Sequence, residues 1–363
     1  DQNCSYQLLV PTNEHEITGS SGFRFLSSLV SGKVYADLLE ELWTQGAEGS
    51  DLQESSPNIW TYNNGWNVVD DLNDQILDPG KGILVYVFAD TDYDGDDDLP
   101  VTISVNEDSA EQKFNNNWNN FTLGSQVSSS EWNLLGNPYG LAIDVQSLLN
   151  QNSSYYSTIY IWDNVNLTYK THNGISGDIF QGLVAPFEGF WIQTLNLDSS
   201  EFIFDYENMT VNSYGNSGRN SASSPDYTGY GMFTFESAGY SSSIYVSFSE
   251  SGDVNLDPAD ARRIVPMQPS THLTSMIYES GKSLSINNLP LALNNDFNYP
   301  LDVMMLEATE TGYETQEAQV SISYDLSQLP ENVTLALKDN LTGDMIYLEG
   351  SSSEISLPSK GSF

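Results

Sequence analysis

The chain has 363 residues, 39% of them hydrophobic and 12% aromatic, with 21 Tyr and 7 Trp; this supply of core material excludes a wholly disordered chain and allows two or three domains. Fifty Asp and Glu stand against eleven Lys and Arg, a formal net charge of −39, which excludes nucleic acid and anionic lipid surfaces as partners because no basic surface exists to displace counterions. No apolar run is long enough to cross a bilayer as a helix, so membrane insertion is not expected, and a like charge of this size suits a saline, calcium-containing medium that screens it.

Cys4 is the only cysteine, so no internal disulfide forms. Cys4–Pro11 reads as an extended segment with Tyr6, Leu8 and Val10 on one face. Strand signals then dominate: short runs of β-branched and aromatic residues lie between Gly, Asn, Asp and Ser turns. The spacing predicts strands at Gly82–Phe88, Val101–Val105, Thr158–Trp162, Phe190–Thr194, Phe202–Tyr206, Ser243–Phe248 and Val333–Lys338. Helical periodicity is confined to Tyr35–Trp43, where Leu38, Leu39, Leu42 and Trp43 share a face, and to a shorter turn at Asp144–Leu149. The expected fold is all-β: two related β-rich units followed by an Ig-like or jelly-roll-like β-sandwich.

The two related units come from an internal repeat. Gly22-Phe-Arg-Phe-Leu-Ser-Ser28, Ala36-Asp-Leu-Leu39, Asn58-Ile-Trp-Thr-Tyr62, Pro79-Gly-Lys-Gly-Ile-Leu-Val-Tyr86 and Val101-Thr-Ile-Ser-Val105 recur in the same order. Their counterparts are Glu131-Trp-Asn-Leu-Leu-Gly-Asn-Pro138, Gln146-Ser-Leu-Leu149, Ile159-Tyr-Ile-Trp-Asp163, Ala185-Pro-Phe-Glu-Gly-Phe-Trp-Ile192 and Phe202-Ile-Phe-Asp-Tyr206. The units occupy 1–106 and 107–210, and segments 14–107 and 121–207 are expected to superimpose. On this reading Trp60 matches Trp162, both as buried core anchors. Gly82 matches Gly189, each at a place needing positive φ or close approach. A small-polar linker covers 211–225, and strand-sized runs at sandwich spacing fill 226–363.

Between the fourth and fifth elements of the first unit stands Asp90-Thr-Asp-Tyr-Asp-Gly-Asp-Asp-Asp98. Carboxylates at alternate positions with Gly at the sixth imitate the first half of an EF-hand-like loop, and hard oxygen ligands on a tight turn select Ca²⁺. Asp90, Asp92, Asp94, Asp96 and Asp98 are the candidate ligands. The twelfth position holds Val101 in place of a bidentate Glu, and the second unit has only Leu197-Asp-Ser-Ser200 there, so the fold does not require the acidic loop. Asp253, Asn255, Asp257 and Asp260 form a weaker cluster, read as a loop with an N-cap before Ala261.

Trp132-Asn-Leu-Leu-Gly-Asn-Pro-Tyr139, Ile159-Tyr-Ile-Trp-Asp163 and Pro186-Phe-Glu-Gly-Phe-Trp191 resemble a module that precedes the C-terminal sorting domain in surface proteins exported by the type IX secretion system of Bacteroidota-type bacteria. Gly22–Val30, Tyr35-Ala-Asp37 and Phe88–Asp96 resemble the module before it. Ser283–Pro290, Tyr299-Pro-Leu301 and Leu335–Asp339 resemble the β-sandwich after it. The resemblance implies export and residence at the outer cell surface or beyond, and it implies no catalytic activity. The chain departs from the pattern at Pro358–Phe363, where no sorting domain follows.

No enzyme is expected. His15, His172 and His272 fit no metal or triad spacing, and no nucleophile elbow, zinc-protease or phosphate-loop motif occurs. The expectation is a non-catalytic, secreted structural or adhesive protein whose partners are further copies of itself or other surface and matrix components. As a self-assembling fibre subunit it would lend Cys4–Pro11 to a sandwich that lacks a closing strand after Glu354–Leu357. The rival is a carbohydrate-binding module of a larger secreted assembly, with polysaccharide held on the Tyr- and Asn-rich stretches Tyr62–Trp66 and Asn115–Asn120. A flat sugar platform needs two or three exposed, coplanar rings.

Overall fold

The computed structural model describes residues 12–105, 121–123, 132–195, 201–205, 229–293, 296–310, 312–340, 343–348 and 355–357. The chain is all-β, with two short α-helices among the described residues. It divides into two compact units, residues 1–166 with 179–221 and residues 167–178 with 222–363. The two repeat segments therefore share one unit, and a piece of the second segment belongs to the other. The expected linker 211–225 and the segment Cys4–Pro11, with Tyr6, Leu8 and Val10, lie outside the described residues.

In the first unit the chain runs β1 (Glu14–Ile17), β2 (Gly22–Ser27), α1 (Tyr35–Leu38), β3 (Ile59–Tyr62), β4 (Trp66–Val68), β5 (Gly82–Val87) and β6 (Val101–Ser104). It continues with β7 (Phe121–Leu123), β8 (Trp132–Gly136), β9 (Ile143–Asp144), α2 (Val145–Gln151) and β10 (Tyr155–Asp163). After β11 (Thr168–His172), which lies in the other unit, come β12 (Leu183–Val184), β13 (Gly189–Thr194) and β14 (Phe202–Phe204). The first segment builds a sheet in the order β2-β5-β3-β4 beside the pair β1-β6. The second segment repeats the order as β8-β13-β10, beside the pairs β7-β14 and β9-β12.

Hydrogen-bond register defines the equivalences. Ser27 faces Gly82 as Gly136 faces Gly189, so those two glycines occupy matching places. Ile59 faces Val85 and Trp60 faces Leu84; Ile159 faces Ile192 and Tyr160 faces Trp191. Trp60 thus corresponds to Tyr160, and Trp162 to Tyr62, two residues away from the expected match. Trp162 is 7% exposed, whereas Trp60 is only half-buried. The inward positions are Ile59 and Ile159; the rings lie on the opposite face, so ring size is a poor guide to register.

The cores follow from strand alternation. Leu26, Ile59, Ile83, Val85 and Val87 point inward beneath α1 and its following turns, with Leu38, Leu39 and Leu42 filling the cluster. The expected helix over Tyr35–Trp43 is shorter because Leu39 already closes α1 onto the Tyr35 carbonyl and Leu42 makes a separate tight turn to Leu39; this still buries all three leucines. In the second segment Leu135, Ile159, Ile161, Phe190 and Ile192 meet α2 and the rings of Phe202 and Phe204. Asp144 caps α2 by accepting from the Ser147 N–H at 2.8 Å.

Three buried asparagines tie this unit's loops. Asn58 donates to the Trp43 and Tyr86 carbonyls. Asn137 donates to Leu141 and Val184 while accepting from the Tyr139 N–H. Asn152 donates to Leu148 and Ile203 and accepts from the Ile203 N–H. Each satisfies backbone groups that a loop leaves unpaired.

The second unit contains β15 (Gly229–Ser237), β16 (Tyr240–Ser249), β17 (Ala261–Arg262), β18 (His272–Glu279), β19 (Lys282–Pro290), β20 (Leu301–Thr309), β21 (Gly312–Gln316), β22 (Val320–Gln328), β23 (Ala336–Lys338), β24 (Met345–Tyr347) and β25 (Ile355–Leu357). In place of two separate layers, one nine-stranded sheet runs β21-β20-β18-β19-β16-β15-β22-β25, with β17 also on β19. A parallel pairing of β16 with β19 joins what would otherwise be two sheets. Phe233, Phe235, Ile244, Leu273, Leu284, Met305 and Ile322, from strands distant in that order, share one core, so the sheet rolls onto itself. β25 pairs with Val320–Ile322 of β22.

Candidate functional site

The acidic loop begins where β5 runs out. The Asp98 N–H bonds back to the Ala89 carbonyl at 2.8 Å and closes the loop. Thr91 donates its N–H and its hydroxyl to Asp98 Oδ2 at 2.7 and 3.0 Å. Asp90 accepts from the N–H groups of Asp94 and Gly95 at 3.1 and 2.9 Å, and Asp92 Oδ1 also accepts from Asp94 at 3.2 Å. Gly95 sits at φ +105°, a conformation that makes glycine the natural residue there. These turns bring carboxylate oxygens of Asp90, Asp92 and Asp98 within 4.8 Å of one another.

The five expected ligands therefore divide into three and two. The Asp94 carboxylate instead accepts from the Asp96 N–H at 3.0 Å, and neither Asp94 nor Asp96 belongs to the cluster. Partial desolvation, then the negative charges of Asp94, Asp98 and Asp90, hold Asp92 above the usual carboxylate range; opposing this, its bond from the Asp94 N–H favours the charged form. At the loop's centre Tyr93 has φ +63° and lies stacked on Trp43, ring centroids 4.9 Å apart and planes 19° apart. The Tyr93–Trp43 contact has no motif in the sequence, because Trp43 lies fifty residues earlier (about one small domain's reach in chain length).

In the second unit Asp257 accepts from the Asp253 and Ala259 N–H groups and from Asn288 Nδ2. Asp260 accepts from the Asp257 N–H at 2.8 Å and the Asn288 N–H at 2.7 Å. Burial pushes Asp260 up to about 7 despite those two bonds. The following residues, Ala261–Arg262, form β17 and not a helix, so this cluster is a loop clasp on β19 and the N-cap reading is corrected. The sequence carries no signal for the role of Asn288, which stands mid-strand.

The histidines stay apart. His15 stacks on Phe187 at 5.8 Å; burial, then the Arg24 charge, holds it down to about 4, so it is neutral. His172 accepts from the Gly174 N–H, and His272 Nδ1 lies 2.8 Å from the Ser270 carbonyl. Among the described residues, Asp90, Asp92 and Asp98 are the sole group of His, Cys, Asp or Glu side chains gathered closely enough to share an ion. Tyr62 and Trp66 meet at 78°, so this pair is not the coplanar platform a flat sugar surface needs. Asn115–Asn120 and the assembly residues Tyr6, Leu8 and Val10 lie outside the described residues. No protein-family model, curated protein or solved structure matches this chain.

Proposed function

We propose that this chain is a non-catalytic structural or adhesive protein of the outer cell surface or the extracellular space, with Ca²⁺ held by Asp90, Asp92 and Asp98. The observation that carries this reading is how the buried polar side chains are used. Asn58, Asn137, Asn152 and Asp260 spend their donors and acceptors on the backbone, which is scaffold chemistry. The net charge of −39 and the resemblance to modules of type IX-exported surface proteins support the location. Self-assembly belongs to the same reading. Among the described residues, β25 is the last strand beyond β22, and the last strand of a sheet presents backbone groups to which a further strand can pair.

Immunogold labelling of intact native cells tests the location. Label on the outer surface or on shed material is the expected outcome; label that appears only after the cells are opened would overturn the reading.

The calcium assignment has its own test. Tb³⁺ replaces Ca²⁺ at hard oxygen sites, and the Trp43–Tyr93 stack is positioned to sensitise its emission. Sensitised emission should titrate with Tb³⁺, be displaced by Ca²⁺, and lose about tenfold or more in affinity in an Asp92→Asn, Asp98→Asn double variant. Since ligand carboxylates must be ionised and Asp92 protonates more readily than an ordinary Asp, affinity should weaken as pH falls toward the carboxylate range. Emission unchanged in the double variant would remove the ion from this loop.

A further inference from the structure

One face of the β2-β5-β3-β4 sheet is aromatic, partly exposed and uncharged. The positions that alternate with inward Leu26, Val85, Val87 and Ile59 carry Phe23, Tyr86, Phe88, Trp60, Trp66 and Val68. Register places Phe23 beside Tyr86 and Trp60 beside Val68. The rings form a row: Phe88 to Tyr86 is 5.0 Å, Tyr86 to Phe23 is 5.1 Å and Phe23 to Trp60 is 6.1 Å between centroids. Trp66 is 43% and Val68 45% exposed, and the other four are half-buried. β4 ends the sheet with β3 as its one neighbour there.

The second segment provides an internal control. Its register-equivalents of Trp60 and Tyr62 are Tyr160 and Trp162, and Trp191 stands where the first segment has Leu84. All three are buried, at 0, 7 and 7% exposure. Trp191 is covered in part by the first segment, edge-on to Tyr62 at 4.7 Å and to Trp66 at 5.6 Å between centroids, while Phe23, Trp60, Tyr86 and Phe88 stay half-buried and Trp66 keeps its exposed edge; this face is therefore partly open where its counterpart is closed. Contiguous exposed apolar patches of this kind mark binding surfaces.

We propose that this face binds a single chain of a neutral polysaccharide. The patch itself contains no Asp, Glu, Lys or Arg, in a chain that is 17% charged, so it suits a partner without charge. A cationic partner would be met by carboxylates, and a second copy would set −39 against −39. Ring faces meet the C–H surfaces of sugars, while the indole N–H of Trp60 and Trp66, the Tyr86 hydroxyl and the exposed amide of Asn63 offer polar edges to hydroxyls. Neighbouring planes along the row meet at 69°, 83° and 59°. That geometry fits a twisting single chain and not a flat crystalline face. The inference deepens the adhesive part of the function proposed above by naming its ligand class.

The test is affinity electrophoresis of the full chain in native gels containing laminarin, xyloglucan, hydroxyethyl cellulose or mannan, with polygalacturonate as the anionic control. Trp66→Ala and Val68→Asp are the variants, since both positions are exposed on an edge strand; because Trp66 also touches Tyr62 and Trp191, each fold is checked by its urea midpoint. The expected result is retardation in at least one neutral gel and none in polygalacturonate. The dissociation constant should rise about tenfold in each variant and stay unchanged in Glu331→Gln, an exposed position of the second unit. Migration unretarded in all four neutral gels, or retardation that both variants retain, would overturn the proposal. A dimer in sedimentation that Val68→Asp abolishes would also overturn it, assigning the face to a second copy. Cell-surface labelling is a separate readout, so failure here leaves the location standing and failure there leaves the binding standing.

Discussion

Gly82→Val should destabilise the first unit by about 3 kcal/mol, at the upper end of overpacking costs. A Cβ at Gly82 would lie 2.6 Å from the Leu135 carbonyl oxygen and 2.8 Å from Leu134 Cγ. The first obstacle is backbone, which a rotamer change cannot clear. The contact is reciprocal: a Cβ at Gly189 would lie 2.8 Å from Phe25 Cβ. Around these glycines the two segments are also hydrogen-bonded, Ser27 N–H to the Phe187 carbonyl at 2.8 Å and Gly136 N–H to the Gly80 carbonyl at 3.0 Å. The urea midpoint of the full chain measures the loss. Gly189→Val should cost a similar amount, and the double variant should cost less than the sum, because either valine alone already separates the shared surface. A Gly82→Val midpoint within about 0.5 kcal/mol of the parent would mean that the segments do not rely on this approach.

Residues 222–363 expressed alone should be less stable than the same unit within the full chain by about 3 kcal/mol, because 167–178 is missing. In the full chain β11 and the turn after it lie on β16 and β19. Asn173 donates to Ser247 Oγ and to the Ala259 carbonyl, both at 3.0 Å, and the Thr171 and Ser285 hydroxyls are 3.4 Å apart. Buried bonds of this kind contribute about 0.5–1.5 kcal/mol each. Burial raises Asp178, and the nearby Arg263 charge acts against that rise; Tyr245 is raised by burial first and by Asp178 second. Removing the segment uncovers Ser247 and Ser285, which are 0 and 2% exposed, and takes a carboxylate away from Arg263. Grafting 167–178 onto 222–363 through a Gly-Ser linker should restore the midpoint. An isolated 222–363 with the full-chain midpoint would show that the segment adds no stability.

Strand identity was legible in the sequence because it is local. The runs around Leu84, Ile103, Ile161, Ile192 and Val246 lie in strands, and the expected strands Phe202–Tyr206 and Val333–Lys338 are strand over Phe202–Phe204 and Ala336–Lys338, since alternation and turn residues act over a few positions. Trp60 and Trp162 were matched by ring identity, yet the ladder aligns Ile59 with Ile159 through Val85 and Ile192. Register answers to which side chain faces the core, and a two-residue slip keeps that face, so the sequence tolerates the wrong match. The matching places of Gly82 and Gly189 were readable, but close approach and not positive φ accounts for them.

The sequence by itself determined the all-β class, the large negative charge and the position of the acidic loop. Composition and short-range periodicity carry those properties without reference to any distant residue. Only the tertiary structure decided that Asp90, Asp92 and Asp98 converge while Asp94 turns to the Asp96 N–H. It alone decided that the aromatic face of the first segment stays partly open while its counterpart is buried, and that 167–178 leaves its own segment for the other unit. Those outcomes depend on which strands pair across long separations, and on where each loop's N–H groups find acceptors, which no local pattern specifies.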